Sequence, residues 1–364
     1  MSSSPSKKDP VQAMVIGDSK VVGDLVGGIL ERDPRIQIAI RPADGEKAVA
    51  QFRNTEAEVI VIDIGGDPKL SLTTISRLLR IDAKARIIMV STLTFTNVKT
   101  GLEGMERGAV EFLQTPAAHT KDSSLAVFQH NLAETAFELG QARRDEGGRQ
   151  AKKAPTFDDD APITLRPAST VTPDILVIAS STGGPQALAS VFGGLDRSVT
   201  VPILIAQHMP PVFTGSLAQN ITRICGRPCV EGKDGEPVKA GHVYVAPGDY
   251  HMVLERDAAN GGAVCIRLNQ DTPVNYCRPS ADPLFKSAAI IYGPKTIGLV
   301  LTGMGQDGQA GSEAVTKAGG TIIAQDHASS VVWGMPGAVA KAGLCSAVLP
   351  LIQIPGHLKK AFAA

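Results

Sequence analysis

Short apolar runs alternate along this chain with stretches whose apolar residues return every three or four positions. Ala13-Met14-Val15-Ile16 is followed by Val22, Leu25, Val26, Ile29 and Leu30, and Ile36-Gln37-Ile38-Ala39-Ile40 by a segment from about Gly45 to Phe52. A short apolar run bounded by polar residues suits a buried strand, and the wider spacing marks one face of a helix. The rhythm continues with Glu58 to Asp63, then Leu72, Ile75, Leu78 and Leu79, then Ile87 to Ser91, then Val98 to Arg107, and closes with Val110 to Leu113. Strands alternating with helices predict a five-stranded parallel sheet covered on both faces, over residues 11–122. Residues 1–10 are polar and read as a flexible tail.

Beyond that sheet, Leu125, Phe128, Leu132, Ala136 and Leu139 recur at helical steps and predict an amphipathic helix over about 123–144. Asp145 to about Thr172 reads as linker, with charge runs and prolines at 155, 162 and 167 that favour extended chain. Helix and linker together occupy 123–172. A second α/β pattern, mostly parallel and doubly wound, then fills residues 173–364. Its strongest strands are Ile175 to Ile178, Val201 to Ala206, Thr296 to Leu301 and Thr321 to Ala324. His242 to Val245 and His251 to Leu254 read as strand, turn and strand, and Val264 to Leu268 as another strand. Helices are expected after Pro185, around Phe213 to Ile224, from Pro283 to Ile291, and through Ala314 and Val315.

Composition narrows the picture. The 364 residues are 43% hydrophobic and 20% charged, which is globular and leaves room for two domains. Lys+Arg and Asp+Glu balance at 36 each, so no global charge points to nucleic acid or an anionic membrane. No apolar run is long enough to span a bilayer, and the polar start lacks the core of a signal peptide, so a cytoplasmic protein is expected. The five cysteines are scattered and odd in number, which is no disulfide framework. Cys225 and Cys229 could share a helix face, but no second ligand pair of zinc type accompanies them.

Candidate chemistry sits where apolar strands end. Ile175-Leu176-Val177-Ile178 runs into Ala179-Ser180-Ser181-Thr182-Gly183-Gly184-Pro185, a strand, a glycine turn and a helix start. Such a turn lifts a hydroxyl clear of the sheet and aims helix N–H groups at the same place. His208 follows the strand ending at Gln207, and Asp307 follows the strand ending near Leu301. Strand ends on one edge of a parallel sheet are neighbours in space, so Ser181, His208 and Asp307 can meet. A serine hydroxyl needs a base to take its proton, and the base needs a carboxylate to hold its tautomer. Each residue has a plainer use as well: His208 beside a Pro-Pro turn, Asp307 as a helix cap.

Residues 11–120 resemble a response-regulator receiver domain of flavodoxin-like fold, with Asp18, Asp63, Ser91 and Thr115 at successive strand ends. The resemblance implies Mg²⁺ held by Asp18 and Asp63, a phosphoacceptor at Asp63, a hydroxyl contact at Ser91 and a switch aromatic at Phe112. Two positions depart from that pattern. Gly17 stands where the family carries a second acid, and Thr115 where it carries a lysine. Phosphoryl transfer rests on positioning and charge neutralisation. Losing a carboxylate and an ammonium argues against efficient phosphorylation of Asp63. Lys20 lies close enough in sequence to suggest a replacement cation.

The second half resembles the protein-glutamate methylesterases of bacterial chemotaxis, the CheB family. The likeness rests on Ala179 to Gly184, Gln207-His208-Met209-Pro210-Pro211, Ala246-Pro247-Gly248-Asp249 with His251-Met252, Arg278-Pro279-Ser280, Leu301 to Gly308, and Trp333-Gly334-Met335-Pro336. It implies hydrolysis of glutamate γ-methyl esters on chemoreceptor helices, and in some members glutamine deamidation. It assigns Ser181 as nucleophile, His208 as base and then acid, and Asp307 as its orienting carboxylate. Met304 matches an oxyanion-hole donor, Thr182 lies beside the nucleophile, and Arg278 is expected either to line the cleft or to serve as a structural arginine before a proline turn. Catalysis of this kind takes no cofactor. A receiver that covers the cleft until phosphorylated belongs to the same resemblance, with a chemotaxis histidine kinase as the further partner. Two other readings remain at this stage, a scaffold regulator with a vestigial triad and an esterase acting on another substrate.

Overall fold

In the first part of the chain the expected alternation closes into one sheet. The computed structural model describes residues 9–17, 19–116, 122–148, 163–195, 197–258 and 261–363. It divides into two units, Met1–Pro155 and Thr156–Ala364. The first contains β1 (Val11–Ile16), α1 (Lys20–Arg32), β2 (Ile36–Ile40), α2 (Gly45–Phe52) and β3 (Val59–Asp63). These are followed by α3 (Pro68–Ile81), β4 (Arg86–Ser91), α4 (Phe95–Glu106), β5 (Glu111–Gln114) and α5 (Asp122–Gly148). Side chains of Ser19, Asp44, Asp67 and Thr94 each accept a backbone N–H at a helix start, which is why helices begin there. The strand order is β2-β1-β3-β4-β5 with every pair parallel, the flavodoxin-like arrangement.

The amphipathic helix set apart with the linker packs on this sheet as its fifth helix. Phe128, Leu132, Ala136 and Leu139 of α5 are all buried. Burying a Leu or Phe side chain is worth about 1.5–3 kcal/mol. A Cβ on Gly140 would stand 2.1 Å from Val11 Cγ1, so the glycine lets α5 approach the first strand closely. Ion pairs Arg35–Glu134, Arg143–Asp82 and Arg144–Glu58 tie the helix down along its length.

The second unit contains β6 (Ile175–Ser180), α6 (Gly184–Gly194), β7 (Ile203–Gln207), α7 (Pro211–Cys225), β8 (Cys229–Glu231), β9 (Val243–Val245), β10 (His251–Asp257) and β11 (Ala263–Asn269). Then come α8 (Ala281–Tyr292), β12 (Thr296–Val300), α9 (Gln309–Lys317), β13 (Thr321–Gln325), α10 (Gly334–Lys341), β14 (Ala347–Leu349) and α11 (Ile354–Ala363). Seven strands form one parallel sheet in the order β14-β13-β12-β6-β7-β9-β8. Successive residues of β6 point to opposite faces. Ile175, Val177 and Ala179 join a core with Leu284, Phe285 and Met335, whereas Leu176 and Ile178 join one with Leu188, Phe192 and Ile221. Both faces are thus covered, as a parallel sheet requires.

Three features differ from the expectation. The strand–turn–strand at 242–254 is split between sheets: β9 stays in the parallel sheet, while β10 pairs antiparallel with β11 in a separate ribbon. Cys225 ends α7 and Cys229 opens β8, because Gly226 at φ 65 ends the helix between them; all five cysteines are free. The last described part of the linker lies on the second unit, with Arg166 N donating to Cys345 O and Ser169 N to Thr321 Oγ1, both at 2.8 Å. Among the described residues, no helix is long and apolar enough to cross a membrane.

Candidate active site

The elbow is built as its residues suggest. β6 ends at Ser180, Gly183 takes φ 75, and α6 starts at Gly184 with Pro185 in its first turn. Only glycine adopts that φ without strain, and a Cβ on Gly183 would also stand 2.6 Å from Val331 Cγ2. Ser181 is 9% exposed. Its N–H donates to Thr302 O at 3.0 Å, and its carbonyl accepts from Gly184 N at 2.7 Å. The loop after β12 presses close here, since a Cβ on Gly303 would meet Ser181 Cβ at 2.7 Å.

β7 and β12 are the two neighbours of β6 in the sheet, so His208 and the Asp307 loop flank the serine. His208 N–H donates to Ser180 O at 3.0 Å, and the ring's Nε2 lies 2.7 Å from Asp307 Oδ2. Asp307 is 1% exposed and well satisfied. Its Oδ2 also accepts from Ala281 N at 2.7 Å, and its Oδ1 from Ser280 Oγ at 2.6 Å, Asn275 Nδ2 at 3.1 Å and Asp282 N at 3.3 Å. Burial pushes this carboxyl up, but the His208 hydrogen bond and charge, with Ser280 and Ala281, outweigh it and hold the carboxyl far below the usual range. Asp307 is therefore an anion, and the Nε2 that faces it carries a proton. Nδ1 is left as the basic nitrogen, and it lies 3.2 Å from Cys277 Sγ. Burial pulls the imidazole pKa down, yet the charge of Cys277 and the hydrogen bonds to Asp307 and Cys277 raise it well above the ordinary histidine value. Among the described residues no hydrogen bond joins Ser181 Oγ to His208. Catalytic hydrogen bonds often tighten only once substrate is bound.

Several supporting residues carry no role at the sequence level. Gln207 is buried, and its amide spans the elbow: Oε1 accepts from Ser180 Oγ at 2.6 Å, while Nε2 donates to Ser181 O and His208 O at 3.0 Å each. Position alone could have found it, as the last residue of the strand before His208. Cys277, Asn275 and Ser280 come from the segment before α8, and only the fold brings that segment to His208. The Trp333 motif holds the Gly303 loop, through Gly303 N to Val332 O at 3.1 Å and Met335 N to Gly303 O at 2.8 Å. Met304, next in that loop, is half-buried, and Thr182 is buried. Arg278 does not stand free in the cleft. Its guanidinium grips Asp249 Oδ1 at 2.6 and 3.0 Å and the carbonyls of Gln270 and Asp271.

In the first unit Asp63, Ser91 and Thr115 lie buried at the ends of β3 and β4 and just past β5. Asp63 Oδ1 accepts from Gly65 N at 2.8 Å, and Ser91 Oγ accepts from Asn97 Nδ2 at 2.7 Å. Phe112 is buried in β5, and Lys20 is exposed at the start of α1. Asp18 lies outside the described residues. A Cβ on Gly17 would meet Gly23 Cα at 3.1 Å, so a second acid there has little room. Among the described residues no group of three or more His, Cys, Asp or Glu could hold a metal ion. Of the two carboxylates that the receiver resemblance assigns to Mg²⁺, only Asp63 lies among the described residues.

An elbow serine beside a carboxylate-backed histidine, at the edge of a parallel sheet, places the second unit in the serine-hydrolase class. The comparisons narrow this. Residues 176–358 match the family described as CheB methylesterase. The chain is 44% identical over 368 residues to protein-glutamate methylesterase/protein-glutamine glutaminase 1 of Rhodospirillum rubrum, covering 96% of this chain and 94% of that one. It is 43% identical over 368 residues to the protein-glutamate methylesterase/protein-glutamine glutaminase of Azospirillum brasilense, covering 97% and 93%. The crystal structure of the Thermotoga maritima CheB methylesterase catalytic domain covers 52% of this chain and 99% of its own at 43% identity, with a TM-score of 0.50. This chain belongs to the CheB methylesterase family.

Proposed function

We propose that the chain hydrolyses glutamate γ-methyl esters on chemoreceptors and deamidates receptor glutamines, using Ser181, His208 and Asp307. The observation that carries the reading is the His208–Asp307 pair on strands flanking the Ser181 elbow, in a chain of this family. Ser181 Oγ attacks the ester carbonyl while His208 Nδ1 takes its proton. The imidazolium, held by Asp307, returns that proton to the departing methanol. Water then attacks the acyl-serine by the same route, leaving a carboxylate and free Ser181. Met304 N–H is assigned to the carbonyl oxygen as negative charge develops on it. One such donor is typically worth about 10²–10³ in rate. Thr182 packs beside the nucleophile, and Arg278 shapes the loop that bears Cys277. As proposed, these steps draw on side chains, the Met304 backbone N–H and water, and the proposed substrate on receptor cytoplasmic helices implies that the chain works in the cytoplasm.

The receiver-like unit is proposed to regulate the esterase by a route other than ordinary phosphorylation of Asp63. Gly17 against Gly23, and Thr115 in place of a lysine, support this. A chemotaxis histidine kinase could then bind without transferring phosphate. The test is methanol release from methylated receptor by the full chain and by Ser181→Ala, each with and without a small phosphodonor and Mg²⁺. Activity in the first, none in the second and no response to phosphodonor are expected. Ser181→Ala turning over at the wild-type rate sinks the esterase assignment, and strong labelling of Asp63 sinks the regulatory one.

A further inference from the structure

The basic nitrogen of His208 is already occupied. Asp307 takes Nε2, so Nδ1 is the nitrogen that must receive the Ser181 proton, and Cys277 Sγ lies 3.2 Å from it. A ring nitrogen makes one good hydrogen bond, so sulfur and serine compete for it.

The sulfur is held there by construction. Val274 and Cys277 exchange backbone hydrogen bonds at 3.1 and 2.9 Å, closing a two-residue turn. Its central residues, Asn275 and Tyr276, take φ 52 and 62. Asparagine tolerates that region, but a bulky tyrosine there is a backbone outlier. Strain of this kind persists only where surrounding structure imposes it. The anchor is visible: Asn275 Nδ2 reaches Asp307 Oδ1 at 3.1 Å and Asp282 Oδ2 at 3.2 Å. One carboxylate thus fixes both the imidazole and the turn that brings sulfur to its other face.

We propose that Cys277 is a positioning residue for the esterase reaction, holding His208 Nδ1 in the resting site so that the base becomes available to Ser181 only when the sulfur gives way. The inference rests on the esterase reading and adds a resident competitor to it. The titratable groups around His208 are Asp307 from the β12–α9 loop and Cys277 from the turn. One residue farther out are Asp282 at the start of α8 and His251 on β10, whose Nδ1 accepts from Ser280 N at 3.2 Å. The sulfur favours the protonated ring, so its removal extends the base's working range to lower pH.

The test compares the full chain with Cys277→Ala and Cys277→Ser in methanol release from methylated receptor across pH, with Ser181→Ala as reference. Both cysteine variants are expected to move the acid limb of kcat/KM to lower pH and so to raise kcat/KM below the wild-type limb, with KM unchanged. A packing role would lower Tm or raise KM and leave the limb in place, and an unmoved limb overturns the proposal. A second readout needs no turnover: the His208 ring signal in histidine-labelled full chain, titrated by NMR. Its midpoint should fall in whichever variant folds, and an equal midpoint overturns the proposal. Turnover of Ser181→Ala at the wild-type rate would refute the esterase reading, and the ring titration would still judge Cys277.

Discussion

Replacing Asp307 with asparagine keeps the shape of the buried group and removes its charge, and the surrounding donors decide which way the amide points. The Oδ2 position faces two donors that cannot turn, Ala281 N–H at 2.7 Å and the His208 Nε2–H at 2.7 Å. The Oδ1 position faces the Ser280 hydroxyl, which can rotate to accept, and two longer contacts from Asn275 and Asp282. The amide oxygen should therefore take the Oδ2 place, and His208 keeps its tautomer. What is lost is the carboxylate's hold on the imidazolium. A hydrogen bond to a charged group is worth about 1.5–3 kcal/mol against about 0.5–1.5 for a neutral one, so the loss is roughly 1–2 kcal/mol, or about 5- to 30-fold in kcat. Asp307→Ala removes the tautomer lock as well, and a loss of about 10³–10⁴ is expected. Steady-state methanol release by the wild type and both variants measures this directly. An asparagine variant as poor as the alanine one would refute the orientation argument. One as active as wild type would show that Asp307 does not stabilise the imidazolium.

Stability should follow the same carboxylate: because its folded pKa is depressed, its contribution is complete above the unfolded value of about 3.9 and is lost as pH falls through the folded one, so wild type should lose more stability than Asp307→Asn on acidification below about pH 4 in denaturant titrations. Gln207→Leu leaves Ser180 Oγ, Ser181 O and His208 O without their amide partner; at about 1–3 kcal/mol for a buried group left unpaired, a fall of at least about 2 kcal/mol in unfolding free energy is expected, and no change would mean that the amide holds nothing. Leu132→Ala should cost about 2–5 kcal/mol in unfolding of the first unit, read by urea denaturation. A cost under about 0.5 kcal/mol, the size expected of a surface substitution, would contradict α5 as part of that core.

By itself the sequence determined the elements and the points where chemistry could sit. Apolar runs such as Ile175 to Ile178 and Thr296 to Leu301 declare buried strands, because only a strand covered on both faces tolerates an unbroken apolar stretch. Ser181 and His208 follow two such runs directly, and Gly183 marks the turn that only glycine takes cheaply. The steps between Phe128, Leu132, Ala136 and Leu139 declare a helix with one face to bury, but not what it buries that face against. Tertiary structure supplied the rest. It placed β12 and β7 on either side of β6, laid α5 on the first sheet, and sent β10 into a ribbon with β11. The short edge strands β8 and β14 are set by their pairing with β9 and β13 and not by any local period. Cys277 and Asn275 reached His208 and Asp307 through a turn distant from both in sequence. The physical reason is the same throughout. Local spacing decides which face of a segment avoids water, whereas the choice of neighbour depends on the packing of surfaces that meet only once the chain has folded.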